Sequence, residues 1–405
     1  MTALGPAAAT PSAVSANGIA LDAALDTAGP DTADLELALT TLPPGRGRLI
    51  VMLPAHNEQA GIDHAIDSLA GQTRRPDLVV VVPDNCTDRT AELAAAHDGV
   101  VVAPSRNNEH KKAGALNQIL ARMLPLLEAD DAIMVMDADS ALDHEFLGAA
   151  LTKLGKPARG DTTVIGGVGG TFRGGEGGGF VGMLQRNEYA RYARDVRRRK
   201  GKVLVLTGTA AIFRVDVLRK VIEARANGTL PGGAAAGIGQ VYDTNVLTED
   251  NELTLALLHL GYGILSPKEC LLETEIMTSW KSLWDQRLRW KRGALENLID
   301  YGLTRVTWRY WGRQVLTHVG VLVTAIYLLS VAYSLLFAGT VHLHPVWTLV
   351  TLVFTAERVV SVRERGRLQM LFASLLVVEM AFDFFLQATQ AKALWDTLRH
   401  SEKNW

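Results

Sequence analysis

Apolar runs of strand length alternate with helical segments in the first third of the chain, and this alternation limits the folds open to it. The predicted strands are Arg48–Pro54, Leu78–Val82, Val100–Ala103 and Ala132–Met136. The predicted helices between them are Glu58–Ala70, Arg89–Ala96 and Lys112–Leu124. Units of this order form right-handed crossovers and a mostly parallel sheet, whose strands are apolar throughout because helices cover both faces. The sequence therefore predicts an α/β domain.

Polar residues follow three of these predicted strands directly. The clusters are His56-Asn57-Glu58, Asp84-Asn85 and Asp137-Ala138-Asp139. In open α/β sheets, ligands bind beyond the carboxyl ends of the strands. We therefore expect a ligand site at this edge of the sheet.

The length of 405 residues predicts more than one domain. Residues 1–45 are rich in Ala, Thr, Pro and Asp, and are predicted to be disordered apart from a short helix near Thr32–Leu39, with no cleaved signal peptide. We expect the α/β domain over 46–300 and a membrane-associated helical region over 301–405. A net charge of -2 gives no basis for nucleic-acid binding, and two cysteines fit a reducing compartment.

The C-terminal third is more apolar than the rest. Val315–Ala338 is a run of about 24 residues without Asp, Glu, Lys or Arg, which is long enough to cross a bilayer. His342–Ala356 is a shorter, marginal second span. Met370–Leu394 contains Glu379 and Asp383, so it either crosses or lies along the membrane surface. The alternative for all three is a buried helical bundle in a soluble protein.

Arginines flank the first two of these segments on one side only. They are Arg305, Arg309 and Arg313 before the first segment, and Arg358, Arg363, Arg365 and Arg367 after the second. The connector Gly339–Pro345 has no Lys or Arg. The positive-inside rule therefore predicts a protein of the cell (inner or plasma) membrane with its α/β domain in the cytoplasm.

The middle of the chain is less regular. Val164–Gly182 is rich in glycine but lacks the ending of a P-loop, so a flexible loop or loose hairpin is favoured over a phosphate cradle. A basic helix is predicted over Gln185–Lys200 and a strand over Val203–Leu206, followed by a turn at 207–209. Thr248 is predicted to cap the helix that begins with Glu249 and Asp250.

Five sets of residues in these segments are suited to chemistry, and four of them are acids or a lysine. Asp137 and Asp139 are predicted to share Mg²⁺ or Mn²⁺, although paired acids in a turn are also often only solvated. Asp84 is suited to accept hydrogen bonds from a base or ribose, with an Asx turn as the alternative. Lys112 is suited to phosphate, and otherwise is a solvated lysine. Asp250 is suited to general-base work, and otherwise caps its helix.

A fifth set lies on one predicted helix. Gln286, Arg289 and Trp290 fall on one face at this spacing. The guanidinium group can pair with a diphosphate, and the indole is a flat surface for a sugar ring. The alternative is a basic amphipathic helix on a membrane surface.

Taken in order, these motifs resemble family 2 glycosyltransferases of the GT-A fold, most closely the synthases of cellulose, hyaluronan and poly-N-acetylglucosamine. The resemblance covers 49–297. The segments that carry it are Pro54-Ala55-His56-Asn57-Glu58, Asp84, Lys112-x-Gly114-Ala115-Leu116-Asn117, Asp137-Ala138-Asp139, Thr248-Glu249-Asp250 and Gln286-x-x-Arg289-Trp290. It implies a Rossmann-like mixed sheet with flanking helices, followed by C-terminal transmembrane helices.

The resemblance also implies an activity. A sugar (a hexose) would move from a nucleotide-sugar, commonly a UDP-sugar, to a saccharide, lipid or other hydroxyl acceptor, with inversion and with Mg²⁺ or Mn²⁺ at Asp137 and Asp139. Asp250 would be the general base. The implied donor-binding residues are Asp84, Lys112, Asp137, Gln286 and Arg289. The implied acceptor-binding residues are Gly208, Thr209, Glu249 and Trp290.

Other activities are less well supported. A sugar nucleotidyltransferase would carry a glycine-rich, basic loop after its first strand, where this chain has Pro54–Glu58. A non-enzymatic membrane scaffold is disfavoured because none of the motif acids is missing. Polymer-secreting synthases have more transmembrane helices than are predicted here. Processive synthesis, a homo-oligomer and a partner subunit therefore stay open.

Overall fold

The computed structural model describes residues 30–43, 47–158, 162–232, 238–338 and 345–403. Its centre is a seven-stranded sheet in the order β3-β2-β1-β4-β8-β6-β9, and a three-stranded sheet in the order β5-β10-β7 lies beside it. The strands are β1 (Leu49–Ala55), β2 (Leu78–Pro83), β3 (Val100–Val102), β4 (Ala132–Met136), β5 (Ser140–Leu142), β6 (Ile165–Gly169), β7 (Thr171–Gly174), β8 (Ala210–Arg214), β9 (Gly263–Leu265) and β10 (Leu271–Thr274).

Helices flank these sheets and continue beyond them. Those of the α/β part are α1 (Pro30–Thr41), α2 (Ile62–Ala70), α3 (Thr90–Ala95), α4 (Lys111–Met123), α5 (Phe146–Leu151), α6 (Gly179–Arg198), α7 (Val215–Ala226), α8 (Glu249–His259) and α9 (Trp280–Tyr301). The C-terminal ones are α10 (Trp308–Tyr333), α11 (Pro345–Ser361), α12 (Arg367–Ser374) and α13 (Leu376–Leu398). The α/β fold predicted from the sequence is confirmed.

The first half of the large sheet follows the predicted pattern. β1 is parallel to both β2 and β4, and β2 is parallel to β3. All seven residues of β1 are buried, and they alternate between the two sides of the sheet. Ile50 and Met52 belong to the core beneath α4, whereas Val51 and Leu53 belong to the core beneath α2 and α5. This two-sided burial explains why the strand is apolar throughout.

The second half of the sheet is mixed. β8 is antiparallel to both of its neighbours, β4 and β6, and β6 is parallel to β9. The chain leaves β4 through Asp137 and Asp139 and enters the small sheet at β5, which pairs with β10. The two sheets therefore meet at the point where these aspartates lie.

Two predictions for the middle of the chain need correction. The glycine-rich run is not a flexible loop, because it supplies β6 to the large sheet and β7 to the small one. Glycine is required there by close packing: a Cβ at Gly170 would lie 2.2 Å from the side chain of Leu272. The predicted strand Val203–Leu206 is irregular, and the strand lies at β8 instead. Leu206 is buried, and its N–H donates to the Thr254 hydroxyl rather than to a neighbouring strand.

The N-terminal helix α1 covers the short helix predicted near Thr32–Leu39. Leu35 and Leu39, four residues apart on one face, are buried in the core beneath β2 and α4. The short helix predicted within 1–45 is therefore confirmed and is longer than expected, because this apolar pair gives it a surface to bury. Residues 1–29 and 44–46 lie outside the described ranges.

In the C-terminal region, one helix of the described residues is continuous, long and apolar enough to cross a bilayer. It runs over Trp308–Phe337, with a mean hydropathy of 2.1 over its best 18 residues, none of them buried inside the protein. The predicted second span corresponds to α11, which has 17 residues, fewer than the roughly 20 that a span needs. Residues 342–344 of that prediction lie outside the described ranges.

The third apolar segment is broken into α12 and α13, which meet at an angle of 70°. α13 packs along α9 of the α/β domain, where Phe385 contacts the rings of Trp280 and Trp284. Glu379 is fully buried and accepts hydrogen bonds from Arg191 of α6 and Arg358 of α11, each at 2.8 Å. Glu379, which left open whether this segment crosses the membrane, therefore joins α13 to the α/β domain.

Candidate active site

A cleft of about 260 Å³ opens where the two sheets meet, at the carboxyl end of β4. Every predicted site residue except Asp84 lines it. These residues are Lys112, Asp137, Asp139, Gly208, Thr209, Glu249, Asp250, Gln286, Arg289 and Trp290. They come from α4, the β4–β5 turn, the turn before β8, the start of α8 and the first half of α9. The sheet edge predicted from the sequence is therefore the site of the cleft.

Lys112 lies between the acids on the two sides of the cleft. Its Nζ donates to Asp137 Oδ1 at 2.5 Å and to the Gly208 carbonyl at 3.0 Å, and it lies 3.6 Å from Glu249 Oε1. Burial acts to lower the pKa of Lys112, but these carboxylates outweigh it and raise the pKa. The amine therefore keeps its charge and links the β4–β5 turn to the start of α8.

Asp139 is crowded by other acids. Burial and the charge of Asp137, with a smaller contribution from Glu275, raise the pKa of Asp139 to about 6. Burial and the charges of Asp139 and Glu275 likewise raise the pKa of Glu58 to about 7. This side of the cleft thus holds more negative charge than its own cations neutralise.

Asp250 faces the cleft from the first turn of α8. Its Oδ2 accepts a hydrogen bond from the Gly208 N–H at 2.9 Å, and its Oδ1 accepts one from the Asn251 N–H at 2.8 Å. Burial first, and the charge of Glu249 second, raise the pKa of Asp250 to about 6. Thr248 is the N-cap as predicted, but its hydroxyl accepts from Asn297 instead of capping the helix. Asp250 is thus a fixed carboxylate that gains a proton just below neutral pH.

One face of α9 closes the cleft. Gln286, Arg289 and Trp290 all point into it, as their spacing predicts. Arg289 makes no ion pair or hydrogen bond with any residue in the described ranges. Arg287 points the other way: it is buried, donates to Glu188 at 2.7 Å, and stacks over the Trp290 ring at 4.5 Å. Arg287 therefore holds Trp290 in place and leaves Arg289 available to a ligand.

Asp84 lies outside the cleft lining, at the end of β2. It is buried, and its Oδ1 accepts hydrogen bonds from Ser105 at 2.6 Å, Asn108 at 2.8 Å and Asn85 at 3.2 Å. No residue in the described ranges donates to its Oδ2. One oxygen therefore fixes the carboxylate and the other is available to a ligand.

Several lining residues were not predicted. They are Phe172, Tyr189, Thr207, Thr248, Thr274, Glu275 and Met277. Glu275 directly follows β10, as Asp84 follows β2, but β10 reads Leu-Leu-Glu-Thr and its two polar residues hide the strand in the sequence. Tyr189 is a buried residue within α6 that packs edge-on to Phe172, with the ring centres 4.6 Å apart. Its contact with the cleft depends on tertiary packing, which no local pattern reveals.

The chemistry of these side chains fits a divalent cation. Asp137 and Asp139 offer hard oxygen ligands to one side of the cleft, where negative charge exceeds positive. The described parts of the chain contain no group of three or more His, Cys, Asp or Glu side chains that could hold a metal ion. Two carboxylates, with water and phosphate oxygens completing the shell, are the usual arrangement for Mg²⁺ at a diphosphate.

Part of this cleft lies in a region that matches a known protein family. Residues 50–222 match the model of glycosyl transferase family 2. The chain is 24% identical over 267 residues to the poly-beta-1,6-N-acetyl-D-glucosamine synthase of Staphylococcus aureus. The alignment covers 64% of this chain and 58% of the relative. It is 27% identical over 266 residues to the probable glycosyltransferase YdaM of Bacillus subtilis, covering 61% and 55%. The chain thus spans little more than half the length of these relatives.

A solved structure shares the fold. The mannosyltransferase PcManGT of Pyrobaculum calidifontis, in complex with GDP-Man and Mn²⁺, superposes with a TM-score of 0.50 at 18% identity, over 95% of this chain and 98% of that one. The family match contains Asp84, Asp137 and Asp139 and ends before Asp250. Residues 50–222 therefore match a glycosyltransferase domain of family 2, and the solved structure shows that the fold is shared.

Proposed function

We propose that this chain transfers a sugar from a nucleotide-sugar, of the UDP-sugar class, to a hydroxyl group of a saccharide or lipid acceptor at a membrane. The observation that carries the proposal is the position of Asp250. It faces the same cleft as Asp137, Asp139 and Arg289, so a base and groups suited to a diphosphate border one space. The carboxylate is held by two backbone N–H groups, and with a pKa of about 6 it is mostly ionised at neutral pH.

The reaction is a single displacement with inversion. The acceptor oxygen attacks the anomeric carbon as the bond from that carbon to the phosphate oxygen breaks, and its electron pair leaves with the nucleoside diphosphate. The proton of the acceptor hydroxyl passes to Asp250. The contact from the Gly208 N–H fixes the carboxylate that receives this proton.

The donor would lie across the cleft. Asp84 accepts hydrogen bonds from the base or ribose through Oδ2, and Lys112, Gln286 and Arg289 bind the diphosphate. Asp137 and Asp139 would hold Mg²⁺ or Mn²⁺, which when bound neutralises the leaving diphosphate.

The acceptor would lie on the opposite side. It contacts Trp290, which offers the face of its ring, and the turn at Gly208 and Thr209, with Glu249 beside them. Because Arg287 stacks on Trp290, the ring presents a fixed surface to a sugar.

We also propose that α10 crosses the cell membrane and holds the domain on the cytoplasmic face. Its exposed apolar surface, with Leu316 72% and Leu329 70% exposed, supports this. The arginines at 305, 309 and 313 lie at its start, where the positive-inside rule expects the cytoplasm. Because α13 packs against α9, we expect α13 to lie along the membrane surface and not to cross the membrane.

The test is donor turnover by the purified chain in detergent. We expect release of nucleoside diphosphate from a nucleotide-sugar only with Mn²⁺ or Mg²⁺. Asp250→Asn should lower kcat by about 10²- to 10⁴-fold, the usual contribution of a general base, while donor affinity stays unchanged. Asp285→Asn, an exposed change on α9, is the control. Full turnover in Asp250→Asn would contradict the assignment of the base, and no turnover with any donor would contradict the activity.

A further inference from the structure

A second cavity, of about 300 Å³, lies between α9, α10 and α13. Its polar lining residues include Lys291 of α9, Thr317 and Thr324 of α10, and Asp383, Gln387 and Gln390 of α13. Lys291 directly follows Trp290, so the two side chains leave α9 about 100° apart. Trp290 faces the catalytic cleft, and Lys291 faces this second cavity.

Lys291 is a partly buried cation without an acidic partner. Its Nζ donates to the carbonyl of Leu386 at 2.8 Å, and no carboxylate in the described ranges lies within 4 Å of it. One contact leaves two of its three N–H groups without a hydrogen bond. Burial lowers the pKa of Lys291 to about 8, which leaves the amine charged at neutral pH. A partly buried ammonium with free donors is suited to an anion.

Besides Lys291, the charged residue among these lining residues is Asp383, which belongs to a neutral cluster that extends away from the cavity. Asp383 pairs with Arg358, and Arg358 shares the buried Glu379 with Arg191. These two acids and two arginines are together neutral, so Lys291 sets the net charge of the cavity. The Thr324 hydroxyl and the Gln387 amide make no hydrogen bond within the described part of the chain. They add neutral donors beside the ammonium.

The position of the cavity along α10 points to a lipid. At 1.5 Å per residue, Thr317 lies about 6 Å and Thr324 about 16 Å beyond Arg313, the last arginine of the cluster at the helix start. The headgroup layer of a bilayer is roughly 5–8 Å thick on each side. The Thr317 end thus reaches headgroup depth, and the Thr324 end reaches the acyl chains.

We propose that this cavity binds the phosphate of an anionic membrane phospholipid, with Lys291 as its counter-ion and one acyl chain lying along Val321 of α10. This inference rests on the membrane tether of the proposed function. It adds a lipid site next to the helix that carries the acceptor surface, and it gives the tether a preference for lipid charge.

The experiment is calorimetric titration of the full chain in dodecyl maltoside micelles with dihexanoyl phosphatidylglycerol. Dihexanoyl phosphatidylcholine and inorganic phosphate are titrated in parallel. We expect phosphatidylglycerol to bind more tightly than both. Lys291→Gln should weaken it about tenfold, which is about 1.4 kcal/mol. Lys291→Arg should retain binding. Lys281→Gln is the matched control, since Lys281 lies on the same helix with a side chain that is 90% exposed.

Three outcomes would overturn the inference. Phosphatidylglycerol could bind Lys291→Gln as tightly as the unaltered chain, or phosphatidylcholine or inorganic phosphate could bind the unaltered chain as tightly as phosphatidylglycerol does. Flotation of the chain with phosphatidylcholine vesicles tests the tether separately, because α10 should insert without an anionic lipid. A chain that floats but shows no charge preference disproves the lipid site alone. A chain that does not float disproves the tether.

Discussion

The acidity of Asp250 gives the most direct test of the electrostatics of the cleft. Burial and the charge of Glu249 raise the pKa of Asp250 from 3.8 to about 6, while Lys112 and two backbone N–H groups act in the opposite direction. Glu249→Gln removes the charge and nearly keeps the shape. The base should then lose its proton at a lower pH.

The size of this change follows from the same contributions. The difference between about 6 and 3.8 is roughly 2 pKa units. Burial, the larger cause, remains in the variant, so we expect the pKa of Asp250 to fall by about 0.5–1 unit, or about 0.7–1.4 kcal/mol. A general base works when it is deprotonated. At pH 5 about a tenth of the unaltered chain is in that form, against roughly a quarter to a half of the variant.

The assay is kcat against pH from about 4.5 to 8 at saturating donor and Mn²⁺. The acid limb should move to lower pH in Glu249→Gln and to higher pH in Lys112→Met, because Lys112 lowers the pKa of Asp250. Glu92→Gln, a change on α3 at a side chain that is 65% exposed, should leave the limb in place. If the acid limb of the kcat profile stays fixed in both cleft variants, or moves the same way in both, Glu249 and Lys112 do not set the pKa of the catalytic base.

Three further changes test other parts of the structure. Gly208→Ala places a Cβ 3.1 Å from Asp250 Oδ2. Because a small displacement of a reacting group is costly, kcat should fall about tenfold with little change in donor KM. An unchanged kcat would argue against the contact between Gly208 and Asp250. Arg287→Met leaves Glu188 without its partner and should cost about 3 kcal/mol of stability, seen as a lower Tm, whereas Arg289→Met should leave Tm unchanged. Leu39→Ala should lower the free energy of unfolding by about 2–4 kcal/mol and increase hydrogen exchange in α1, whereas the same change at the exposed Leu37 should do neither. Equal hydrogen exchange in the two variants would show that α1 does not pack on the α/β domain.

Local patterns predicted the parallel half of the large sheet well. Each of its strands is a continuous apolar run, and a polar cluster follows three of the four. Ile50 and Val51 illustrate the reason: a strand buried on both faces has no polar position, so its limits are visible in the sequence. The cleft was predictable for the same reason, because Asp137 and Asp139 follow such a strand.

The remaining elements depend on contacts that no local pattern contains. β6 is largely glycine and becomes a strand because Leu206 and Phe213 fill the space that its side chains would occupy. Leu206 itself lies in an apolar run that resembles a strand, yet its N–H is satisfied by Thr254 from α8. Arg287 and Glu275 could not be assigned from their neighbours, because their partners come from α6 and from the β4–β5 turn.

The last described residues return to the α/β domain, and this affects how the protein can be engineered. The carbonyls of Ser401 and Glu402 accept hydrogen bonds from Arg292, and Lys403 donates to the carbonyl of Asn245, in the loop that leads to α8. A deletion after residue 300, intended to give a detergent-free enzyme, would remove these contacts and strip α13 from the aromatic surface of α9. Shortening α10 while retaining α13 is the safer route to a soluble form.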